Sequence, residues 1–224
     1  ILLVTGGTGG HIFPTIALYK YLIENFYKVY LITDKRGINN KNLNSFKPYL
    51  INVKGYQGKK LISKIFSLVL VALSIFRSLL YLKKNKIKLV VGFGSYVQVP
   101  VIIAAKILNI NIILHEANAI LGKANRIFWK LANIRVSFYK LKHSKFCYQL
   151  GLPIRKEIQR LFRKKPIYMK KNSRINLLIL GGSLGSQALS YNLSLSISKL
   201  PRKIAQRLNV THQVKSTDYN SVEK

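Results

Sequence analysis

The stretch Ile1-Leu2-Leu3-Val4-Thr5-Gly6-Gly7-Thr8-Gly9-Gly10-His11-Ile12-Phe13-Pro14-Thr15 opens the chain and decides how the rest is read. Its apolar start reads as a buried strand, its glycine segment as a turn, and the residues from there to about Phe26 as an amphipathic helix. Glycine permits positive φ and a close approach of backbone to a ligand. A turn of this kind at a helix N-terminus offers unpaired N–H groups and the positive dipole end, which suits a phosphate. A tight strand-to-helix turn with no ligand is the plain alternative. Gly6, Gly7, Gly9 and Gly10 crowded around Thr8, with His11 next, argue against it.

The type of loop can be narrowed. A P-loop needs Gly-Lys-Ser/Thr at the helix start, where this chain has Gly10-His11-Ile12. A dinucleotide fingerprint begins at Gly7-Thr8-Gly9 but meets Ile12 where its last glycine belongs. Asp34, after the second strand, imitates the ribose-binding acid of such folds, so a nicotinamide-dependent oxidoreductase is the runner-up. His11 is the distinctive residue, a titratable group beside an expected diphosphate site.

Composition narrows the function classes. With 38 basic and 6 acidic residues the net charge is +32. The basic residues are scattered, in short clusters such as Lys83-Lys84 and Arg163-Lys164-Lys165, and no nucleic-acid motif accompanies them. Compositional drift and attraction to anionic lipid heads are therefore preferred over nucleic acid. A single cysteine, Cys147, forms no internal disulfide, and no secretory signal precedes the first strand, which fits a reducing cytosol. So few carboxylates argue against a two-carboxylate glycosidase, and no cofactor or metal site is expected.

Along the chain, strands are expected at Val29–Thr33, Tyr49–Val53, Ile87–Phe93, Asn111–Leu114 and Ile134–Phe138, with helices at Leu61–Leu82, Val99–Leu108 and Lys123–Ala132. Gly37–Lys47 reads as a loop. So does Gly55–Lys60. Strands alternating with helices make a doubly wound sheet whose ligands bind at the strands' carboxyl ends. His11, Ser95, Tyr96, His115, Glu116 and Asn118 all fall there. The long helix carries no charge from Ile65 to Phe76, too short a run to span a bilayer but suited to dipping into one between basic flanks. Burial as a core helix is the alternative. A polar, basic linker runs from Gly151 to about Arg174. Then Asn176–Leu180, the turn Gly181-Gly182-Ser183-Leu184-Gly185-Ser186, a helix to Leu200 and a strand Leu208–Gln213 restart the pattern. Two strands do not make a stable doubly wound sheet, so this second domain is incomplete.

Five segments in order carry a resemblance: Gly6–His11 with Pro14, Gly92-Phe93-Gly94-Ser95-Tyr96 with Pro100, His115-Glu116-Ala117-Asn118 with Gly122 and Asn125, Pro153 with Arg155, and Gly181-Gly182-Ser183-Leu184-Gly185. Together they resemble the MurG family of N-acetylglucosaminyltransferases of peptidoglycan synthesis, to about Gln213. The resemblance implies an α/β chain of GT-B type, with two Rossmann-like domains and no metal. Residues 1–154 would form the acceptor- and membrane-binding domain and residues 155–224 the start of a truncated donor-binding domain. It implies inverting transfer from UDP-N-acetylglucosamine to undecaprenyl-diphosphate-linked lipid I, at the cytoplasmic face of the cell membrane. His11 would be the base. Thr8, Gly9, Gly10, Asn118, Arg155 and Ser183 would bind substrate, with Gly94, Ser95, Tyr96, His115 and Glu116 as further acceptor-loop candidates. Ser95, Ala117, Leu152, Leu184 and Ser190 depart from the family's usual residues, and the uracil- and sugar-binding segment is missing. A separately encoded C-terminal half would restore it; an inactive membrane-binding remnant would lack it.

Overall fold

The computed structural model describes residues 1–53, 61–141, 146–163, 173–182 and 185–222, with the backbone alone for 61–68 and 221. They divide into two compact units, Ile1–Leu161 and Phe162–Lys224.

The first unit is a seven-stranded sheet in the order β3-β2-β1-β4-β5-β6-β7. Its strands are β1 (Leu2–Val4), β2 (Tyr30–Thr33), β3 (Tyr49–Leu50), β4 (Leu89–Gly92), β5 (Asn111–Glu116), β6 (Ile134–Ser137) and β7 (Tyr148–Gln149). Every pairing is parallel. Side chains alternate across the pleat. Leu2 and Val4 therefore join one core layer with Leu82, Val101 and Ile102, while Leu3 joins another with Ile12, Ile16 and Leu43. The helices of this unit are α1 (Gly9–Glu24), α2 (Lys35–Ile38), α3 (Lys41–Asn44), α4 (Leu61–Lys84), α5 (Gln98–Ile107), α6 (Lys123–Phe128) and α7 (Lys156–Gln159). The chain order reverses between β1 and β4, and a doubly wound sheet opens its crevice at such a point.

Several expectations are corrected. Residues 37–47 are not a plain loop, because Asp34 accepts a hydrogen bond from the Gly37 N–H at 2.9 Å and Asn40 one from the Asn42 N–H at 3.0 Å, capping two short helices. The helix expected to Ala132 ends at Phe128 and tightens into a 3₁₀ turn, Trp129–Leu131. Strand β7 extends the sheet beyond the expected edge. The loop read at Gly55–Lys60 lies outside the described residues. The first unit also runs to Leu161, past the expected boundary after residue 154. The Arg155 guanidinium lies over the Phe13 ring and Lys156 Nζ meets Glu24 at 2.6 Å, so this segment belongs to α1's surface.

Helix α4 packs on α5. Ser74, Ser78 and Leu82 are buried, and Ser74 donates to the Asn52 carbonyl at 3.0 Å. Val69, Leu73, Phe76 and Leu80 are each more than half exposed, at 51%, 51%, 59% and 54%. Their spacing puts them on one stripe of the helix. The apolar run thus serves both burial and an exposed face. Among the described residues no helix is long and apolar enough to cross a membrane.

In the second unit β8 (Ile175–Ile179) pairs in parallel with β9 (Leu208–His212), and α8 (Gln187–Ser198) lies between them in sequence. Ser186 caps α8 by accepting from the Leu189 N–H at 3.3 Å. A Cβ on Gly181 would stand 2.7 Å from the Ser186 nitrogen, so the turn closes only around a glycine. Leu178, Leu180 and Tyr191 are exposed. Ser183 and Leu184 lie outside the described residues.

Candidate active site

Strands β1, β4 and β5 lie side by side at the sheet centre, and the loops after them converge. They enclose a cavity of about 230 Å³ lined by His11, Gly94, Ser95, Tyr96, Glu116, Asn118, Gly122, Lys123, Ala124 and Asn125.

His11 sits in the first turn of α1, and its Nδ1 lies 2.7 Å from the Phe93 carbonyl oxygen. A carbonyl only accepts, so the ring carries its proton on Nδ1 and Nε2 is left as an acceptor. The fit depends on Gly94. Its φ is 94°, and a Cβ there would come 2.9 Å from His11 Cε1. Ser95 follows at φ 71°, also left-handed, in a conformation that costs a non-glycine residue about 1–2 kcal/mol.

Glu116, 2% exposed, is an organiser of its loop. Oε1 accepts from the Asn118 N–H at 3.0 Å and Asn118 Nδ2 at 2.9 Å. Oε2 accepts from the Gly122 N–H at 2.8 Å and Asn125 Nδ2 at 2.9 Å. All four of these partners are N–H donors, so the carboxylate oxygens are occupied as acceptors. Asn118 spends amide hydrogen on Glu116 and keeps its carbonyl oxygen for the cavity.

His115 lies beneath the site and is not among the residues lining the cavity. It is 5% exposed, its ring centre is 5.4 Å from that of Phe93, and among the described residues neither ring nitrogen meets a partner in full hydrogen-bond geometry. Burial pushes its pKa below the usual histidine value; the Gly151 backbone and Glu116 oppose this and His11 adds to it.

Thr8, Gly9 and Gly10 form the N-terminal edge of α1. Thr8 makes no side-chain cap, and the first N–H groups of a helix have no partner within it. These three residues do not line the cavity. Arg155 is also elsewhere: its guanidinium centre lies 4.4 Å from the centre of the Phe13 ring, bordering a separate hollow with Lys20, Lys41 and Phe46.

Asp34 corrects the oxidoreductase alternative. It is 3% exposed, and its carboxylate holds Arg36 Nε at 3.0 Å, Arg36 Nη2 at 2.8 Å, the Gly37 N–H at 2.9 Å and the Gly7 N–H at 3.4 Å. It braces the glycine loop and leaves no oxygen free for a ribose. Among the described residues no three His, Cys, Asp or Glu side chains group together to hold a metal.

Gln98 and Lys123 are additional site residues. Gln98 is fully buried and joins the Gly94 N–H to Asn125. Its signal in the sequence is a lone amide inside the apolar run Val97-Gln98-Val99-Pro100. Lys123 brings the cavity its cationic side chain.

Known proteins place this geometry. Over its whole length the chain is 36% identical to the UDP-N-acetylglucosamine–N-acetylmuramyl-(pentapeptide) pyrophosphoryl-undecaprenol N-acetylglucosamine transferase of Wolbachia pipientis subsp. Culex pipiens (strain wPip), and spans 62% of that protein. The transferase of the same name from Paramagnetospirillum magneticum is 32% identical over the whole chain, with 62% of its length spanned. The crystal structure of Acinetobacter baumannii MurG superposes with a TM-score of 0.72 at 26% identity, covering 99% of this chain and 62% of that one. The UDP-GlcNAc 2-epimerase of Neisseria meningitidis shares the fold, with a TM-score of 0.59 at 15% identity over 99% of this chain and 68% of its own. These likenesses identify the GT-B type of α/β fold. The model of the glycosyltransferase family 28 N-terminal domain matches residues 1–135, and the chain belongs to that family.

Proposed function

We propose that this chain carries the acceptor side of an inverting glycosyltransferase that moves N-acetylglucosamine from UDP-N-acetylglucosamine to lipid I, giving the lipid II used in peptidoglycan synthesis and so in cell shape and division. The relatives' names supply the substrates. The observation that carries the reading is His11, whose Nε2 is left as an acceptor beside the three-loop cavity. In the reaction the acceptor hydroxyl attacks the sugar's anomeric carbon, its proton passes to Nε2, and UDP leaves with the electrons of the broken bond. A positioned base contributes about 10²–10⁴ in rate. Lys123 and the N–H groups at the start of α1 suit the acceptor's diphosphate, and the Asn118 carbonyl oxygen suits a sugar hydroxyl or amide. Arg155 and Ser183 are assigned to the donor's phosphates by resemblance.

The working place is the cytoplasmic face of the membrane. The exposed stripe Val69, Leu73, Phe76 and Leu80, with Arg77, Lys83 and Lys84 on the same helix, supports docking on anionic lipid. The chain spans 62% of the length of the curated relatives it matches.

Lipid II formation from labelled UDP-N-acetylglucosamine and lipid I tests the reading. In assays with and without the C-terminal portion of a relative, turnover is expected in at least one combination, and His11→Ala should lower it about 10²–10⁴-fold. Undiminished turnover with His11→Ala would remove its role as base. No turnover in any combination would favour an inactive membrane-binding remnant.

A further inference from the structure

Between His11 and Glu116 runs an unbroken series of hydrogen bonds. His11 Nδ1 lies 2.7 Å from the Phe93 carbonyl. The N–H of the same peptide group, on Gly94, donates to Gln98 Oε1 at 2.9 Å. Gln98 Nε2 donates to Asn125 Oδ1 at 2.7 Å. Asn125 Nδ2 donates to Glu116 Oε2 at 2.9 Å and to the His115 carbonyl at 3.0 Å. Phe93, Gln98, Asn125 and Glu116 are all buried.

The direction of the series is forced from both ends. The Gly94 N–H is a donor by constitution, so Gln98 must turn its oxygen toward it. That leaves the Gln98 nitrogen facing Asn125, which must answer with its own oxygen. The Asn125 nitrogen then meets two acceptors, a backbone carbonyl and a carboxylate. No amide in the series can be reversed without setting donor against donor or acceptor against acceptor.

We propose that Glu116 acts on His11 through Asn125, Gln98 and the Phe93–Gly94 peptide, a relay of three amides that holds the imidazole as its Nδ1–H tautomer and presents Nε2 to the cavity. The carboxylates of Ser-His-Asp sites fix an imidazole tautomer by direct contact; here the effect is carried at a distance. Each bond polarises the next, strengthening it by about 10–30%. Glu116, Asn125 and Gln98 are then positioning residues, with His11 alone meeting the reacting proton. Besides the members of the series, the polar residues that line the cavity with His11 are Ser95, Tyr96, Asn118 and Lys123, and His115 lies behind it. The Phe93 carbonyl is the acceptor that Nδ1 meets.

This inference deepens the assignment of His11 as base and rests on it for its purpose, but its test does not need turnover. NMR of the 224-residue chain labelled at histidine reports which ring nitrogen carries the proton in the neutral form. The His11 signal is identified by its loss in His11→Gln. A single Nδ1–H tautomer is expected in the wild type, with slow solvent exchange of the Gln98 side-chain amide. An Nε2–H tautomer, or fast exchange of that amide, would overturn the relay without any variant. In Gln98→Leu, which can neither accept from Gly94 nor donate to Asn125, His11 should become a mixture of tautomers while the amide spectrum of the second unit stays unchanged. A folded Gln98→Leu chain with the wild-type His11 pattern would overturn it. Should Gln98→Leu fail to fold, Glu116→Gln decides: a displaced His11 Nδ1 signal supports the relay and an unmoved one overturns it. A chain with His11 wholly as Nδ1–H that is inactive when supplemented would sink the functional reading and leave the relay standing.

Discussion

The guanidinium of Arg155 lies over the Phe13 ring of α1, its central carbon 4.4 Å from the middle of the ring. A cation over an aromatic face at an exposed site contributes about 0.5–1 kcal/mol. Phe13→Leu and Arg155→Gln should each destabilise the first unit, and a double-mutant cycle in urea should return a coupling of about 0.5–1 kcal/mol. A coupling of zero would mean that the two groups are merely adjacent, leaving Arg155 unrestrained.

Ser95 holds φ 71° directly after Gly94 at φ 94°. Ser95→Gly removes a left-handed penalty of about 1–2 kcal/mol. It also loosens the unfolded chain by about 0.4–1 kcal/mol. The net expectation is a gain of about 0.5–1 kcal/mol in urea unfolding, from the difference of these two terms. Destabilisation would show that the Ser95 hydroxyl makes up for its backbone.

His115 is buried, and burial lowers its pKa. As pH falls through the unfolded value, near 6.5, the unfolded chain takes up the proton first. The contribution of neutral His115 is therefore complete above about pH 6.5 and is lost as pH drops toward the folded pKa, with a slope of at most about 1.4 kcal/mol per pH unit. Thermal unfolding from neutral to mildly acid pH should show this decline, and His115→Leu should flatten it. An equal slope in both proteins would assign the acid sensitivity to other groups.

The α4 stripe can be separated from the core by substitution. Because Leu73 and Phe76 are more than half exposed, Leu73→Ser with Phe76→Ser should change stability by under about 0.5 kcal/mol. Sedimentation with anionic vesicles should fall in this variant, and fall again at high salt as the basic residues are screened. Unchanged sedimentation on both counts would remove α4 as the docking element.

The central fold was legible because its signals are strong and local. Leu2–Val4 and Leu89–Gly92 are apolar runs that lead into glycine-containing turns, and parallel strands buried on both faces are near-continuously apolar. Strand β7 was not legible: Tyr148 and Gln149 are both exposed and carry no apolar period, and only the register with Val136 and Ser137 makes them a strand. In the site, the glycines and His11 announce themselves by residue type, and Glu116 was found by its place at a strand end. Its role was not, because a carboxylate that accepts four N–H groups looks in sequence like one waiting for a proton. Gln98 and Asn125 meet only through folding, 27 residues apart, and no spacing rule brings two amides together over that distance.

Strand β1 lies inside its sheet, flanked by β2 on one side and β4 on the other. Val4 finds its partner Gly92 only when about 90 more residues have been made. At ribosomal speeds of about 5–20 residues per second, that is a wait of roughly 5–18 s with one apolar edge open. Until then the growing chain holds half a sheet, and a ribosome-bound nascent protein is a natural client for a holding chaperone. The cavity comes later still, since Glu116 and Asn125 leave the ribosome after β4, so His11 is made well before the side chains that complete its surroundings.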